Sequence, residues 1–266
     1  MKVVVTGASG FVGRALLAAL PKAGHEAVAL DLRNARFVGG DVLVHLAAIA
    51  HRGASTEEFE RVNVKLAKQV ARDAAACGVG LVFLSSVKVH GEVSGAPFTE
   101  RSAIAPGDPY AASKARAEEA LAAIAGLRLA VLRPPLVYGP RVKANFLRLT
   151  QAIAGGIPLP FGSIRNRRSL IYVGNLVNAV LQCLGREGTY LVSDGPPLST
   201  PELCRMLGDA LGRRARLWPF PSALLPRNIA ASLEVDDRAF REALGWCPSF
   251  SVGEGLLATA RWYLDR

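Results

Sequence analysis

Short apolar runs alternate with helical patterns through the first half of the chain. The clearest runs lie at residues 3–5, 26–30, 81–84 and 129–132. Each has the length of a buried strand, and the segments between them favour helices. This alternation predicts an α/β fold, with a parallel, doubly wound sheet formed up to Gly139.

The second half of the chain divides between that sheet and a smaller lobe. Residues 170–184 and 189–192 predict a helix and a strand that return to the sheet. Further helical patterns run over 201–211 and 253–263. We therefore expect two interleaved units. The main domain comprises residues 1–140 and 169–195, and the smaller substrate lobe comprises 141–168 and 196–266.

The glycine-rich sequence TGASGFVG at residues 6–13 joins the first strand to the first helix. In such a turn the backbone N–H groups can approach a pyrophosphate, and the following helix presents its positive end to it. Asp31 ends the next apolar run, where a ribose-binding acid belongs. These features predict a Rossmann dinucleotide-binding domain with Asp31 among the cofactor contacts. The predicted contacts in the turn are Gly7, Ser9, Gly10, Phe11, Val12 and Gly13.

The second motif, YAASK, begins at Tyr110 and ends at Lys114. Asp108 and Pro109 before it have the form of an N-cap and a first helical residue, so Tyr110 and Lys114 share one helix face. A nearby ammonium and the positive nicotinamide ring of an oxidised cofactor both lower the pKa of a phenol. Ser86 ends a strand and can bind the same substrate oxygen. We therefore predict Ser86, Tyr110 and Lys114 as the catalytic residues.

These motifs resemble the extended short-chain dehydrogenase/reductases, the NAD-dependent epimerase/dehydratase family, along nearly the whole chain. The other matching pieces are HLAA at 45–48, Asn63, RPPLVYGP at 133–140, RSLIYV at 168–173 and LGW at 244–246. The resemblance implies an NAD-dependent enzyme whose substrate is a nucleotide sugar.

The resemblance also implies roles for individual residues. Beyond the glycine turn, the implied cofactor contacts are Leu46, Ala47, Ala48, Tyr110, Lys114 and Pro135. The implied substrate contacts are Lys88, Asn145, Arg168 and Arg227. In the family, the cluster around Arg168 meets the diphosphate of the nucleotide sugar, for which a guanidinium has the right geometry.

One segment departs from the family pattern. Only nine residues separate Asp31 from Asp41, which opens the strand leading into HLAA. A helical crossover alone takes at least about 10 residues. We therefore predict that the usual third strand and its helix are missing or shortened. Their loss would leave apolar surface for a partner subunit to cover, so we expect a homodimer.

Composition and charge exclude several classes of function. The formal net charge is +10, but the arginines are accompanied by neither a nucleic-acid motif nor interleaved aromatic residues. An anionic small substrate fits this charge better than nucleic acid. No apolar stretch approaches the roughly 20 residues of a membrane span. The sequence begins with a predicted strand and not with the pattern of a signal peptide. We expect a cytoplasmic enzyme, and the four cysteines lack metal or redox spacing.

The absence of one acidic pair reduces the number of reactions that the resemblance allows. Family members that dehydrate nucleotide sugars carry an Asp-Glu pair after the catalytic serine or threonine, whereas Val87 and Lys88 stand there in this chain. The resemblance leaves two reactions, 4-epimerisation of a UDP-hexose or UDP-hexosamine and reduction of a UDP-4-keto-6-deoxy-hexosamine in surface polysaccharide synthesis. Asp31 favours NAD over NADP and thereby the epimerase, although Arg33 weakens that argument.

A hypothesis of another class also stays open, that of an NAD-sensing protein that has lost catalysis. Such chains usually lose the tyrosine or the lysine of the motif, whereas Ser86, Tyr110 and Lys114 are all present here. The contracted segment after Asp31 is the feature that favours this hypothesis.

Overall fold

The computed structural model describes residues 1–32, 37, 39–50 and 53–266. The strands are β1 (Lys2–Thr6), β2 (Glu26–Leu30), β3 (Val42–His45), β4 (Gly80–Leu84), β5 (Leu129–Arg133), β6 (Leu136–Tyr138), β7 (Leu170–Tyr172) and β8 (Gly188–Leu191). The helices are α1 (Phe11–Ala19), α2 (Thr56–Phe59), α3 (Leu66–Ala76), α4 (Pro109–Ala122), α5 (Ala144–Ala154), α6 (Val173–Gln182), α7 (Thr200–Ala210), α8 (Arg227–Ala230), α9 (Arg238–Leu244) and α10 (Val252–Leu264). A π-helical segment, Glu60–Lys65, joins α2 to α3, and short 3₁₀ turns span Pro21–Ala23, Val87–His90 and Ser222–Leu224.

The main sheet has the strand order β2-β1-β3-β4-β5-β8, and every pair in it is parallel. The predicted parallel α/β Rossmann sheet is confirmed. Strands β1, β3 and β4 are buried almost throughout because helices cover both faces, which explains why they read as continuous apolar runs. The carboxyl ends of the parallel strands meet at one edge of the sheet, where the glycine turn, Asp31, residues 46–48, Ser86 and Pro135 follow β1 to β5 in turn.

Alternate residues of the strands face two separate cores. Val3 and Val5 of β1 pack with Leu16 of α1 and Val180 of α6. Val4 faces the other side of the sheet. Its core is filled by residues of β3, β4, α3 and α4, among them Leu43, Phe83, Val70, Ala74, Ala117 and Leu121.

The segment between β2 and β3 is short. Its described residues, 31–32, 37 and 39–41, form neither a strand nor a helix, and residues 33–36 and 38 lie outside the description. Phe37 is 5% exposed and packs with Val4 and Leu43. Phe37 thus covers part of this face of the sheet.

The remaining elements form a second sheet and a further apolar core. Strands β6 and β7 pair in a separate two-stranded sheet, and α5, α7 and α10 share an apolar core with Tyr138. The predicted helix over 170–184 differs from the structure in its first three residues, which form β7. Helix α6 and strand β8 return to the main sheet, but Phe240 of α9 also packs in the main core. The division into two lobes stays a prediction.

Candidate active site

The glycine turn lies against the end of β3. Gly7 has a φ of +67°, and a Cβ on it would meet the backbone nitrogen of Ala47 at 2.6 Å. A Cβ on Gly13 would lie 2.3 Å from the carbonyl oxygen of Gly7. The turn therefore needs glycine at both positions. It also brings Leu46 beside the first strand, since the amide of Leu46 donates to the carbonyl oxygen of Thr6 at 3.3 Å.

Helix α1 begins without a side-chain cap in the described part of the chain. Gly10 is its exposed N-cap; no described side chain caps it, and no acidic residue occupies the first turn. Helix α7, in contrast, closes its start with a reciprocal pair between Ser199 and Glu202. Free N–H groups and the helix dipole suit an anion at the start of α1. This end of α1 therefore fits the pyrophosphate of a dinucleotide.

The other predicted cofactor residues follow the same sheet edge. Asp31 comes directly after β2 and is exposed, beside the end of β1, whereas Arg33 lies outside the described residues. Pro135 is buried between β5 and β6. Ala48 is exposed after β3. In the glycine turn Ser9 is exposed, and Phe11 and Val12 are partly buried. The contacts of these residues with a cofactor stay predictions.

The three predicted catalytic residues come together at the ends of β4 and α4. Asp108 caps α4 by accepting from the amide of Ala111 at 2.7 Å, and Pro109 occupies the first helical position. Tyr110 and Lys114 thus stand one turn apart, as predicted. Ser86 follows β4, and its hydroxyl lies close enough to Tyr110 to lower the pKa of the phenol. The chain therefore assembles a hydroxyl, a phenol and an amine in one place.

The electrostatics of Tyr110 differ from the sequence-based expectation. Burial raises the pKa of Tyr110 to about 12, the negative charge of Asp108 adds to the rise, and the hydrogen bond with Ser86 opposes it. In the chain alone, burial and the charge of Asp108 therefore outweigh the effect of Ser86, and the phenol holds its proton at neutral pH.

Lys114 is almost fully buried. Its Nζ lies 4.3 Å from the ring centroid of Phe83, and only 2% of the residue is exposed. Burial lowers the pKa of Lys114 to about 7, and the carboxylate of Glu118 opposes that change. The amine of Lys114 therefore changes between its charged and neutral forms near neutral pH.

His45, at the end of β3, stays neutral beside this amine. Burial, followed by the charge of Lys114, lowers its pKa to about 3. Its Nδ1 is 2.8 Å from the hydroxyl of Thr6, and its buried Nε2 has no partner among the described residues. His45 therefore supplies no positive charge to the site.

A buried ion pair supports the catalytic helix, and sequence reasoning missed it. Glu118 pairs with Arg133 at the end of β5, and both side chains are about one-tenth exposed. Ser85 also donates to Glu118, while Nη1 of Arg133 lies 3.0 Å from Nε2 of His90. The sequence signal was the spacing of Glu118, four residues after Lys114 and so on the same helix face.

Two of the predicted substrate residues share one side of the site. Nη1 of Arg168 donates to the carbonyl oxygen of Ala231 at 3.0 Å, directly after α8. Arg227 begins α8 and is exposed. Burial lowers the pKa of Arg168, and the charge of Glu92 opposes that change.

The other two predicted substrate residues form no side-chain hydrogen bond with these arginines in the described part of the chain. Asn145 is exposed in the first turn of α5, and within the described residues its side chain shows no contact with Arg168. Lys88 Nζ donates to Glu92 and Asp108, each at 2.7 Å. Sequence reasoning identified Asp108 only as a helix cap and missed its link to Lys88.

Comparison with known proteins identifies the family of this chain. The profile of the NAD dependent epimerase/dehydratase family matches residues 3–38 and 35–192, two segments that meet between β2 and β3. The chain belongs to this family. Family membership confirms the predicted extended short-chain dehydrogenase/reductase that depends on NAD.

Individual relatives cover nearly the whole chain. It is 34% identical to a UDP-glucose 4-epimerase of Vibrio cholerae, covering 99% of this chain and 95% of that one. That alignment spans 314 positions, so the relative has insertions that the 266 residues here lack. An undecaprenol-diphosphate-linked N-acetylglucosamine 4-epimerase of Escherichia coli O157:H7 is 29% identical, over 84% of this chain and 77% of that one. The structure of UDP-glucose 4-epimerase from Thermus thermophilus with NAD matches with a TM-score of 0.81, 26% identity and 99% coverage of both chains.

Two kinds of feature are absent from the described part of the chain. None of the described helices is long and apolar enough to cross a membrane. Within the same residues, no group of three or more histidine, cysteine or acidic side chains could hold a metal ion.

Proposed function

We propose that this protein is an NAD-dependent epimerase that inverts C4 of a UDP-hexose or UDP-hexosamine. The observation that carries the proposal is the grouping of Ser86, Tyr110 and Lys114 at the same edge of the parallel sheet as the uncapped start of α1. Its relatives from V. cholerae and T. thermophilus are named UDP-glucose 4-epimerases, which supports the choice of reaction within the family.

The chain supplies the acid–base chemistry of this reaction. When bound, NAD supplies hydride acceptance and return at C4. Tyr110 takes the proton of the C4 hydroxyl as the carbon is oxidised and gives it back when the carbon is reduced on the opposite face. Ser86 donates a hydrogen bond to the same oxygen and keeps it within reach of the phenol. The net reaction consumes neither a proton nor an electron pair.

Tyr110 can act as a base only where positive charge compensates for its burial. With its pKa raised to about 12 in the chain alone, the phenolate is scarce at neutral pH. Lys114 supplies the compensating charge from within the chain whenever its amine is protonated. The positive nicotinamide ring of the oxidised cofactor adds to it. We expect the phenolate to form mainly in the complex with oxidised NAD.

Two arginines favour an anionic substrate. Arg168 and Arg227 lie on the side of the site formed by α8, and Arg168 is held half-buried by the carbonyl oxygen of Ala231. A partly desolvated guanidinium gains strongly from a diphosphate, to which it can donate two parallel hydrogen bonds. This supports a nucleotide diphosphate on that side.

Proton NMR tests the reaction directly. The purified protein is incubated with NAD and UDP-N-acetylglucosamine, without a reductant, and we expect the galacto isomer to appear by inversion at C4. UDP-glucose is tested in parallel. No inversion of either sugar, with consumption of NADH or NADPH on a UDP-4-keto-6-deoxy-hexosamine, would assign the reductase instead. Binding of NAD with turnover of none of these sugars would favour the NAD-sensing protein. The homodimer remains a prediction, tested by light scattering.

A further inference from the structure

One side chain beside the site holds two carboxylates at once. Nζ of Lys88 lies 2.7 Å from Oε1 of Glu92 and 2.7 Å from Oδ2 of Asp108. The other carboxylate oxygen of Asp108 accepts from the amide of Ala111 at 2.7 Å. Asp108 therefore joins Lys88 directly to the first turn of the catalytic helix.

These groups are partly shielded from water. The side chains of Lys88, Glu92 and Asp108 are 32%, 30% and 29% exposed, so their charges interact more strongly than on an open surface. Burial would lower the pKa of Lys88, but its hydrogen bonds to Asp108 and Glu92 outweigh burial and raise it. Burial would likewise raise the pKa of Asp108, yet the bonds from Lys88 and Ala111 lower it. Lys88 and Asp108 are thus both charged at neutral pH.

The charge of Asp108 bears on Tyr110, two residues later. After burial, it is the main cause that keeps the phenol protonated. Other titratable groups also lie on the elements packed around Tyr110. They are Lys88 and Glu92 after β4, neutral His45 on β3, Lys114 on the same helix, and Glu60 and Arg116, which form an ion pair at 3.2 Å. The charge of Glu92 also acts on Arg168. Lys88 is the cation that contacts Asp108 itself.

We propose that Lys88 is a positioning residue for the epimerase reaction. Its ammonium fixes the N-cap Asp108 and cancels the carboxylate charge that opposes ionisation of Tyr110. This inference rests on the proposed function for its kinetic consequences, but not for its effect on Tyr110. It also differs from the predicted role of Lys88 as a substrate contact, since two of the three ammonium hydrogens are already used.

The test compares Lys88→Met with Lys88→Arg, which keeps the charge. Lys22→Met is the matched control, because Lys22 is exposed on the 3₁₀ turn before β2, at the opposite edge of the sheet. The kinetic readout is the pH dependence of kcat and KM. The second readout needs no sugar: tyrosinate absorbance of the NAD complex is titrated, with the matching Tyr110→Phe protein subtracted.

For Lys88→Met we expect the Tyr110 midpoint to rise by about one pH unit and kcat below the midpoint to fall about tenfold, since one pKa unit changes the phenolate fraction tenfold. KM should change little. Lys88→Arg should restore both readouts, and Lys22→Met should match the wild type. In an Asp108→Asn background, which keeps a good N-cap, Lys88→Met should no longer shift the midpoint.

A rise in KM with an unmoved tyrosinate midpoint would overturn the proposal and make Lys88 a substrate ligand. The proposal would also be overturned if Lys88→Met shifted the Tyr110 midpoint equally in the wild-type and the Asp108→Asn backgrounds. If the wild type inverts neither sugar, the epimerase proposal fails, and the tyrosinate titration still decides the role of Lys88. If Lys88→Met does not fold, Lys88→Gln and the Asp108→Asn pair carry the same comparison.

Discussion

Nδ2 of Asn63 donates a hydrogen bond to Oγ of Ser113 across 2.9 Å, joining the π-helical segment to the catalytic helix. Ser113 in turn donates to the carbonyl oxygen of Tyr110 at 2.7 Å. Asn63 also exchanges two hydrogen bonds with the backbone of Ile49, after β3. One buried amide thus fixes the end of β3 relative to α4, and π-helical turns of this kind often occur at functional sites.

Removing that amide should weaken both the fold and the site. We expect Asn63→Ala to lower the free energy of unfolding by about 1–3 kcal/mol, because it leaves buried polar partners unsatisfied. It should also lower kcat, because Tyr110 loses its anchor. Urea unfolding and steady-state kinetics measure the two effects. Asn178→Ala is the control, since its 2.8 Å bond to Ser249 is exposed, and an equal loss in both variants would contradict the assigned role.

Tyr110 should be required for turnover but not for cofactor binding. We expect Tyr110→Phe to reduce kcat by at least about 100-fold, because proton transfer from a positioned side chain contributes on that order. NAD affinity, measured by calorimetry, should hardly change. Tyr263→Phe on α10 should keep the wild-type rate. Undiminished activity in Tyr110→Phe would disprove the acid–base role.

Burial of Lys114 should make stability depend on pH in the alkaline range. Its pKa falls from 10.5 to about 7 on folding, so the unfolded chain binds more protons between those values and stability rises as pH increases from 7 to 10. Lys114→Met removes this contribution, which amounts to at most about 4 kcal/mol. Urea unfolding without cofactor at pH 7 and pH 10 gives the difference between the two proteins. A difference that is constant with pH would contradict the lowered pKa.

The buried Glu118–Arg133 pair should be costly to break from one side. Glu118→Gln leaves the guanidinium of Arg133 without its charged partner, and we expect a loss of about 3–5 kcal/mol. Glu118→Leu combined with Arg133→Met should lose less. Arg238→Ala breaks a pair whose arginine is 78% exposed, and it should destabilise the protein much less. Thermal unfolding of the wild type and these three variants ranks the losses of stability. Equal losses for the buried and the exposed pair would refute the expectation.

Local patterns predicted most of the elements that carry the site. The apolar runs gave the strands, because a strand covered on both faces must be apolar along its length. Asp108 and Pro109 marked the start of the catalytic helix, because capping depends on neighbouring residues only. The glycine turn was predictable for the same reason: Gly7 and Gly13 leave room that a Cβ would fill.

The sequence by itself thus determined the alternation of strands and helices along the first half of the chain. It also determined the glycine turn and the spacing of Tyr110 and Lys114. Only the tertiary structure decided what surrounds them: Phe37 in the contracted segment, Lys88 on Asp108, and Arg133 on Glu118. The pKa of Tyr110 was the clearest difference, because a sequence lists charged neighbours but does not show how far a phenol is withdrawn from water. Desolvation and contacts between distant residues depend on how the whole chain packs, and no local pattern encodes them.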